Sequence, residues 1–415
     1  MVDINSFFIV IFFWLYYNDN RGVIMLENIK KVDRKIIMMM GFLLALIILI
    51  IIIMIVINML NNGKLSYSKI ESKMVSGAKS YYKTNSALLP TEVDKTVEVD
   101  ASTLASEGYI KDLSEYVKDD SVVCSGKVIV AKTQDNYDYV ASLDCGDKYK
   151  TSFLYQKVLE QGTVTSGEGL YNTEDFITTT PNLGIDEEGY DLSQNPLLGG
   201  YVFRGQNVNN FVKIDNNLYR IVKIDKNNDI VIATTNKRLR GVFDDRYNSE
   251  TDRQTGINDY SVSRAYETLK KQYNDVLISD KGSVLYTKRV TKDLCIGGRS
   301  ADNTTKDGSA ECAKVMKGQY FGLLPAYDIM NASLDSNCTS TVSKECGNYN
   351  YIVDTSYWSA TGDVDSTSLV YRINQNSLKT YNANLTLTLK YVLFLSNRTI
   401  FKSGTGTETD PYILK

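Results

Sequence analysis

The side chains with the richest chemistry in this sequence are six cysteines: Cys124, Cys145, Cys295, Cys312, Cys338 and Cys346. Cysteines can hold a metal, exchange with other thiols or form disulfides. The chain has no CxxC pair and no histidine to complete a metal site. No metal and no other cofactor is therefore expected. The even number fits up to three disulfides in an oxidising compartment. Cys124 and Cys145 fall at the open end of a strand pair, so a bridge between them is expected. Cys295 and Cys312 enclose a polar loop and read as a structural disulfide, with a redox pair as the alternative. Cys338 and Cys346 read as a loop staple.

The lack of histidine also removes Ser-His-Asp and Cys-His nucleophile pairs and histidine general bases. An enzyme on this chain would depend on carboxylates, lysine, tyrosine or cysteine, and no catalytic residue is assigned. Two binding motifs are visible. Tyr357 and Trp358, in TSYWSAT, could form a sugar-stacking platform, with Asp363 and Asp365 in the following loop as candidate ligand-binding residues. Against this, an aromatic in a β-rich segment is more often core. Asp225, Asn227 and Asp229 have the opening spacing of a calcium loop. The glycine and the acidic residue required further on are replaced by Ile230 and Asn236, so a hairpin turn is expected.

These residues must be positioned by the rest of a 415-residue chain of net charge −3, which gives no basic field for nucleic acid. Residues 1–35 read as a cytoplasmic N-terminus, with 1–24 a possible misassigned start before Met25. Residues 36–57 are apolar without charge or proline, long enough as a helix for about 30 Å, and read as a single transmembrane helix. Lys30, Lys31, Arg34 and Lys35 precede it, so the N-terminus is expected inside and the bulk outside. This predicts a single-pass cell-membrane protein with the membrane as one partner through residues 36–57.

Residues 58–150 read as a membrane-proximal domain. Ile70, Met74 and Ala78 recur every four residues along a helix. Asp100 and Gly108 bracket a short helix, and VVCSGKVIVAK and YDYVASLDC form a hairpin. Residues 151–196 are rich in Gly, Thr, Ser and Asn and read as a linker. Residues 197–415 read as a β-rich domain. A strand meander opens it, SRAYETLKKQYNDVL gives a helix with Ser263 as cap, and YWSAT, SLVYRIN and LKYVLFLSN give late strands.

The order of membrane helix, amphipathic extension, EGYIKDL and cysteine-closed hairpin resembles pilin-like and pseudopilin-like proteins of Gram-positive bacteria, over about residues 36–150. Gly41-Phe42 is similar to a prepilin cleavage junction, but Leu46 stands where pilins carry glutamate, which implies an uncleaved anchor. The C-terminal part, through NNLYRIVKID, FGLLPAYDIMNAS, YWSAT, YVLFLSNRTI and GTGTETDPYIL, resembles a module of surface proteins in low-GC Gram-positive bacteria. Such modules are similar to the C-type-lectin-like fold shared with formylglycine-generating enzymes. The expected fold class is thus a single transmembrane helix plus extracytoplasmic α+β. In it, a pilin-like helix-and-hairpin region precedes a β-rich C-type-lectin-like domain. The function implied is a membrane-anchored surface binding or adhesion module without catalytic activity, its partner a cell-wall glycan or a surface protein and not nucleic acid. The alternatives are a pseudopilin-like structural component and a redox-type enzyme on a lectin-like scaffold.

Overall fold

The computed structural model describes residues 42–54, 64–177, 183–195, 197–236, 238–341, 343–374 and 377–415. Two units divide the chain, Met1–Ser66 and Tyr67–Lys415. In the first, residues 42–54 form a helix of exposed apolar side chains. The transmembrane expectation is corrected here. A helix over 42–54 spans about 20 Å, short of the roughly 30 Å of a hydrocarbon core. Among the described residues no helix is long and apolar enough to cross a membrane. The flanking residues 36–41 and 55–57, with Gly41 and the basic cluster before it, lie outside the described residues.

The second unit begins with helix α1, Tyr67–Thr84. Its stripe of Ile70, Met74 and Ala78 is fully buried, as the four-residue spacing requires. It lies on a three-stranded antiparallel sheet of β1 (Thr96–Asp100), β2 (Ser125–Lys132) and β3 (Tyr137–Asp144), with β2 central. Strand alternation gives this sheet two characters. Gly126, Val128 and Val130 face α1; a Cβ on Gly126 would come within 2.7 Å of the Met74 methyl carbon. Lys127 and Ile129 face the other way, beside Glu98 and Ser142. Helix α2, Ala101–Ser106, follows β1 and ends before Gly108, which adopts φ +78° as a left-handed stop. Asp100 occupies the N-cap position, although its side chain accepts no capping hydrogen bond.

Residues 151–196, expected as a linker, contribute to the same unit. Helix α3, Leu154–Leu159, buries Leu154 and Val158 in the main core. Strand β4, Gly169–Asn172, pairs antiparallel with β5, Tyr201–Arg204. Strands β6 (Phe211–Ile214), β7 (Asn217–Ile224) and β8 (Ile230–Thr234) complete the expected meander. With Phe321–Leu323, Tyr391–Leu395, Phe401–Ser403 and Tyr412–Leu414 they form a nine-stranded sheet. The wholly buried IVIAT and YVLFL strands pair near its middle, where both faces are covered and no alternation is required.

A second, six-stranded sheet contains Tyr357–Asp363, Leu369–Asn374 and Ser377–Asn382 in hairpin succession. Helix α4, Arg264–Gln272, begins at Ser263, whose side chain accepts from the Tyr266 N–H as the sequence predicts. Helix α5, Ala326–Ala332, is buried along its whole length. One continuous apolar core includes Leu154, Leu170, Val212, Ile232, Phe243, Trp358 and Leu395. All six cysteines are paired, Cys124 with Cys145, Cys295 with Cys312 and Cys338 with Cys346, which fits an oxidising extracytoplasmic compartment.

Candidate functional site

Polar contacts fasten the small sheet to the body. On α1, Glu71 is buried and accepts from the Tyr149 hydroxyl at 2.7 Å, the Thr151 hydroxyl at 2.6 Å and the Lys415 ammonium at 2.7 Å. Asp94, before β1, accepts from the backbone N–H and the hydroxyl of Thr291. Asp138 on β3 accepts from Lys288 Nζ through both carboxylate oxygens, at 2.7 and 2.9 Å. Asp135 accepts from the Tyr286 hydroxyl, which with Arg289 nearby holds its carboxyl below the usual aspartate range.

These fastenings leave a cleft of about 670 Å³ between the small sheet and the body. Pockets of roughly 300–1,000 Å³ suit small ligands, so this volume has room for a sugar unit or a short peptide segment. The outward face of the small sheet forms one wall, through Thr96, Glu98, Lys127, Ile129 and Ser142. The start of α3 gives Phe153, Tyr155 and Gln156. The floor comes from the β7–β8 turn (Asn227, Asp229), from Val290 to Asp293, and from Asn397 and Arg398. The Phe153 and Tyr155 rings are stacked at 6.2 Å, and the Gln156 amide donates to the Tyr155 hydroxyl at 3.2 Å.

The charged groups of the floor have distinct roles. Lys292 is buried between Asp225, at 2.7 Å, and Asp229, in closer contact. Burial opposes its charge, but Asp229 and Asp225 outweigh this and hold the ammonium above the ordinary lysine range. Burial raises the Asp225 carboxyl, with Lys292 opposing that rise. The Asp225–Asn227–Asp229 spacing therefore encodes a turn whose carboxylates grip a lysine. Asp225 Oδ1 accepts from the backbone N–H of Asn227 and of Asp229. Among the described residues no cluster of His, Cys, Asp and Glu could hold a metal ion.

Tyr357 and Trp358 are both wholly buried, with the Trp358 ring 5.9 Å from Phe243 in an edge-to-face arrangement. Sugar stacking requires an open ring face, so the platform expectation does not fit this placement: both rings belong to the core. Asp363 ends the same strand and Asp365 lies in the turn after it, where Asp363 accepts from the Asp365 N–H at 3.0 Å. Asp363 borders a separate hollow with Asp186, Glu187, Glu188 and Asp259, away from the two rings. The structure thus divides the four candidates between core and surface. Cys295 and Cys312, considered as a redox pair, are bonded to each other.

Sequence reasoning missed Tyr155, Gln156, Lys292, Asn397 and Arg398. No local motif joins them, because the cleft draws on segments far apart in the chain. The chain matches no family model, and no curated protein or solved structure is similar to it.

Outside the cleft, Lys306 carries an amine lowered to about 8 by burial and by its cationic neighbours Arg204 and Arg299. Among the described residues no carboxylate forms an ion pair with it. An unfolded lysine binds its proton up to the ordinary value near 10.4, so the unfolded chain holds more protons between these two limits. Stability should therefore rise with pH from about 8 to about 10.4 through this group. Lys306→Met should raise the urea midpoint at neutral pH and flatten that rise. An unchanged pH profile in the variant would show that Lys306 is not responsible.

Proposed function

We propose that this chain is an extracytoplasmic binding protein, a cell-surface recognition or adhesion module, that holds a polar cell-wall glycan in the cleft between its small sheet and its main body. The observation that carries the reading is the composition of that cleft. It places the half-buried Tyr155 ring, two asparagine amides, one glutamine amide and several charged groups around about 670 Å³. Planar polar groups match sugar hydroxyls, and an aromatic face matches the apolar face of a pyranose ring. The disulfides favour an address outside the cytoplasm. The resemblance of residues 197–415 to lectin-like surface modules points the same way.

The test is retention of the purified full-length chain on arrays of cell-wall fragments and glycans. Binding is expected to fall about tenfold in Tyr155→Ala and in Gln156→Ala, the loss of roughly one hydrogen bond or ring contact. Both variants should keep the parental unfolding free energy, measured in urea, within about 1 kcal/mol, because both side chains are only half-buried. Silence across the array, or binding that neither substitution alters, would overturn the reading.

A further inference from the structure

We infer that the ligand of the cleft carries an anionic group, a carboxylate or a phosphate, and that this group sits on the guanidinium of Arg398. The inference rests on the binding role proposed above and names the chemistry of its ligand.

Arg398 lines the cleft and is 6 % exposed. Its Nε lies 3.8 Å from Asp138 Oδ2, beyond hydrogen-bond distance, and has no other partner. Both oxygens of Asp138 are already engaged by Lys288 Nζ. Two buried cations therefore share one carboxylate, and one positive charge is left without a full counterpart. Lys288 reflects this. Burial lowers its amine below the ordinary lysine range, Asp138 opposes the shift, and the charge of Arg398 adds to it.

The other cations of the cleft are paired at hydrogen-bond distance, and Asp94 and Asp293 are held by neutral donors. Glu98 pairs with Lys127 at 2.7 Å, and Asp229 with Lys292. Asp94 takes two hydrogen bonds from Thr291, and Asp293 accepts from the Gly318 N–H at 2.8 Å. Among the cleft-lining cations, Arg398 is the one whose ion pair, with Asp138 at 3.8 Å, is too long for a hydrogen bond. Two buried cations that share one carboxylate leave the guanidinium under-compensated, and an anion resting on it from the cleft would relieve that. The planar fork of arginine fits the two oxygens of a carboxylate or phosphate better than it fits a lone hydroxyl. Gln156, Tyr155 and Asn397 in the same cleft supply neutral partners for the rest of a sugar.

Calorimetric titration of the full chain with glucose, glucuronate and inorganic phosphate separates the possibilities. Glucose and glucuronate differ in the carboxylate, and phosphate tests the anion without the sugar. Glucuronate or phosphate is expected to bind at least about tenfold more tightly than glucose, the value of a charge-assisted hydrogen bond. Arg398→Met should remove the preference. Lys288→Met provides a second test that leaves Arg398 in place. It frees Asp138 to pair with the guanidinium, and anion binding should weaken about tenfold while glucose binding stays unchanged. Equal binding of glucose and glucuronate with no effect of Arg398→Met would overturn the inference and leave the cleft as a neutral-glycan site. Failure of both anions at millimolar concentration would also overturn it, and glycan-array retention would then show whether the binding role survives.

Discussion

Trp358→Ala is expected to lower the stability of the Tyr67–Lys415 unit by about 3–5 kcal/mol, the cost of removing a fully buried large aromatic. The ring has no exposed surface and packs edge-on against Phe243 at 5.9 Å. Its strand pairs with the next strand of the six-stranded sheet, with Trp358 opposite Arg372. The cavity left by alanine therefore opens in the middle of the fold and not in a surface groove. Against a typical total of about 5–15 kcal/mol, such a loss is a large fraction of what keeps the unit folded. Trp358→Phe should cost less. It keeps a ring against Phe243 and removes an indole N–H that is buried without a hydrogen-bond partner. Urea unfolding followed by far-ultraviolet circular dichroism measures both. A sugar platform would give the opposite pattern, with an unchanged midpoint and lost binding. An unchanged midpoint in Trp358→Ala would mean that the ring is not the core element that its burial indicates.

The two readings of Trp358 show what local sequence can and cannot determine. A tryptophan in a strand is compatible with a core or a platform, and only the elements packed on either side decide between them. Where a pattern is set by chain periodicity it is readable. The Ile70–Met74–Ala78 stripe, the β2–β3 hairpin with its cysteine closure and the Ser263 cap all appear at the expected positions. Continuous apolar strands such as YVLFL are readable too, since a strand covered on both faces carries no polar alternation. The membrane reading of residues 36–57 shows the limit of hydropathy. Apolar character is a property of composition, whereas spanning also requires helix length, and among the described residues no helix is long and apolar enough to cross a membrane.

Residues 151–196 were obscure for another reason. Their turn-forming residues suggest a free linker, yet Leu154, Val158 and Leu170 are spaced to reach the core, and GLYN pairs with YVFR. The partner strand supplies the register that the segment alone does not encode. The cleft was the least legible feature. Its residues come from β1, β2, β3, α3, the β7–β8 turn, residues 290–293 and the segment after YVLFL. The spacing of Asp225, Asn227 and Asp229 is visible in the sequence, but what their carboxylates hold is Lys292, more than sixty residues later.

Lys223→Met is expected to destabilise the unit by about 3–5 kcal/mol, whereas the double variant Lys223→Met/Asp328→Leu should recover most of that loss. Lys223, on β7, is buried and donates to the Leu197 carbonyl at 2.9 Å, the Tyr327 hydroxyl at 3.1 Å and Asp328 Oδ1 at 2.9 Å. Asp328 lies on α5 with Tyr327, whose backbone N–H donates to Glu311 Oε1 at 3.1 Å. Glu311 in turn pairs with buried Arg299 at 2.7 Å. Removing Lys223 alone leaves Asp328 as a buried negative charge near Glu311. Burial already raises the Asp328 carboxyl, with Lys223 opposing that rise, so loss of the ammonium should raise it further. An acid whose folded value lies above its unfolded value destabilises the fold as pH rises past the unfolded value. The deficit of Lys223→Met should therefore be greatest near neutral pH and shrink as pH falls and Asp328 takes up a proton. Urea midpoints at acid and neutral pH for the parent, the single variant and the double variant measure this directly. A deficit that is independent of pH, with no recovery in the double variant, would assign the loss to the packing of the lysine stem. A deficit that shrinks in acid and is recovered by removing Asp328 would assign it to the stranded carboxylate. The pair would then be required as a pair because each charge, once buried, makes the other necessary.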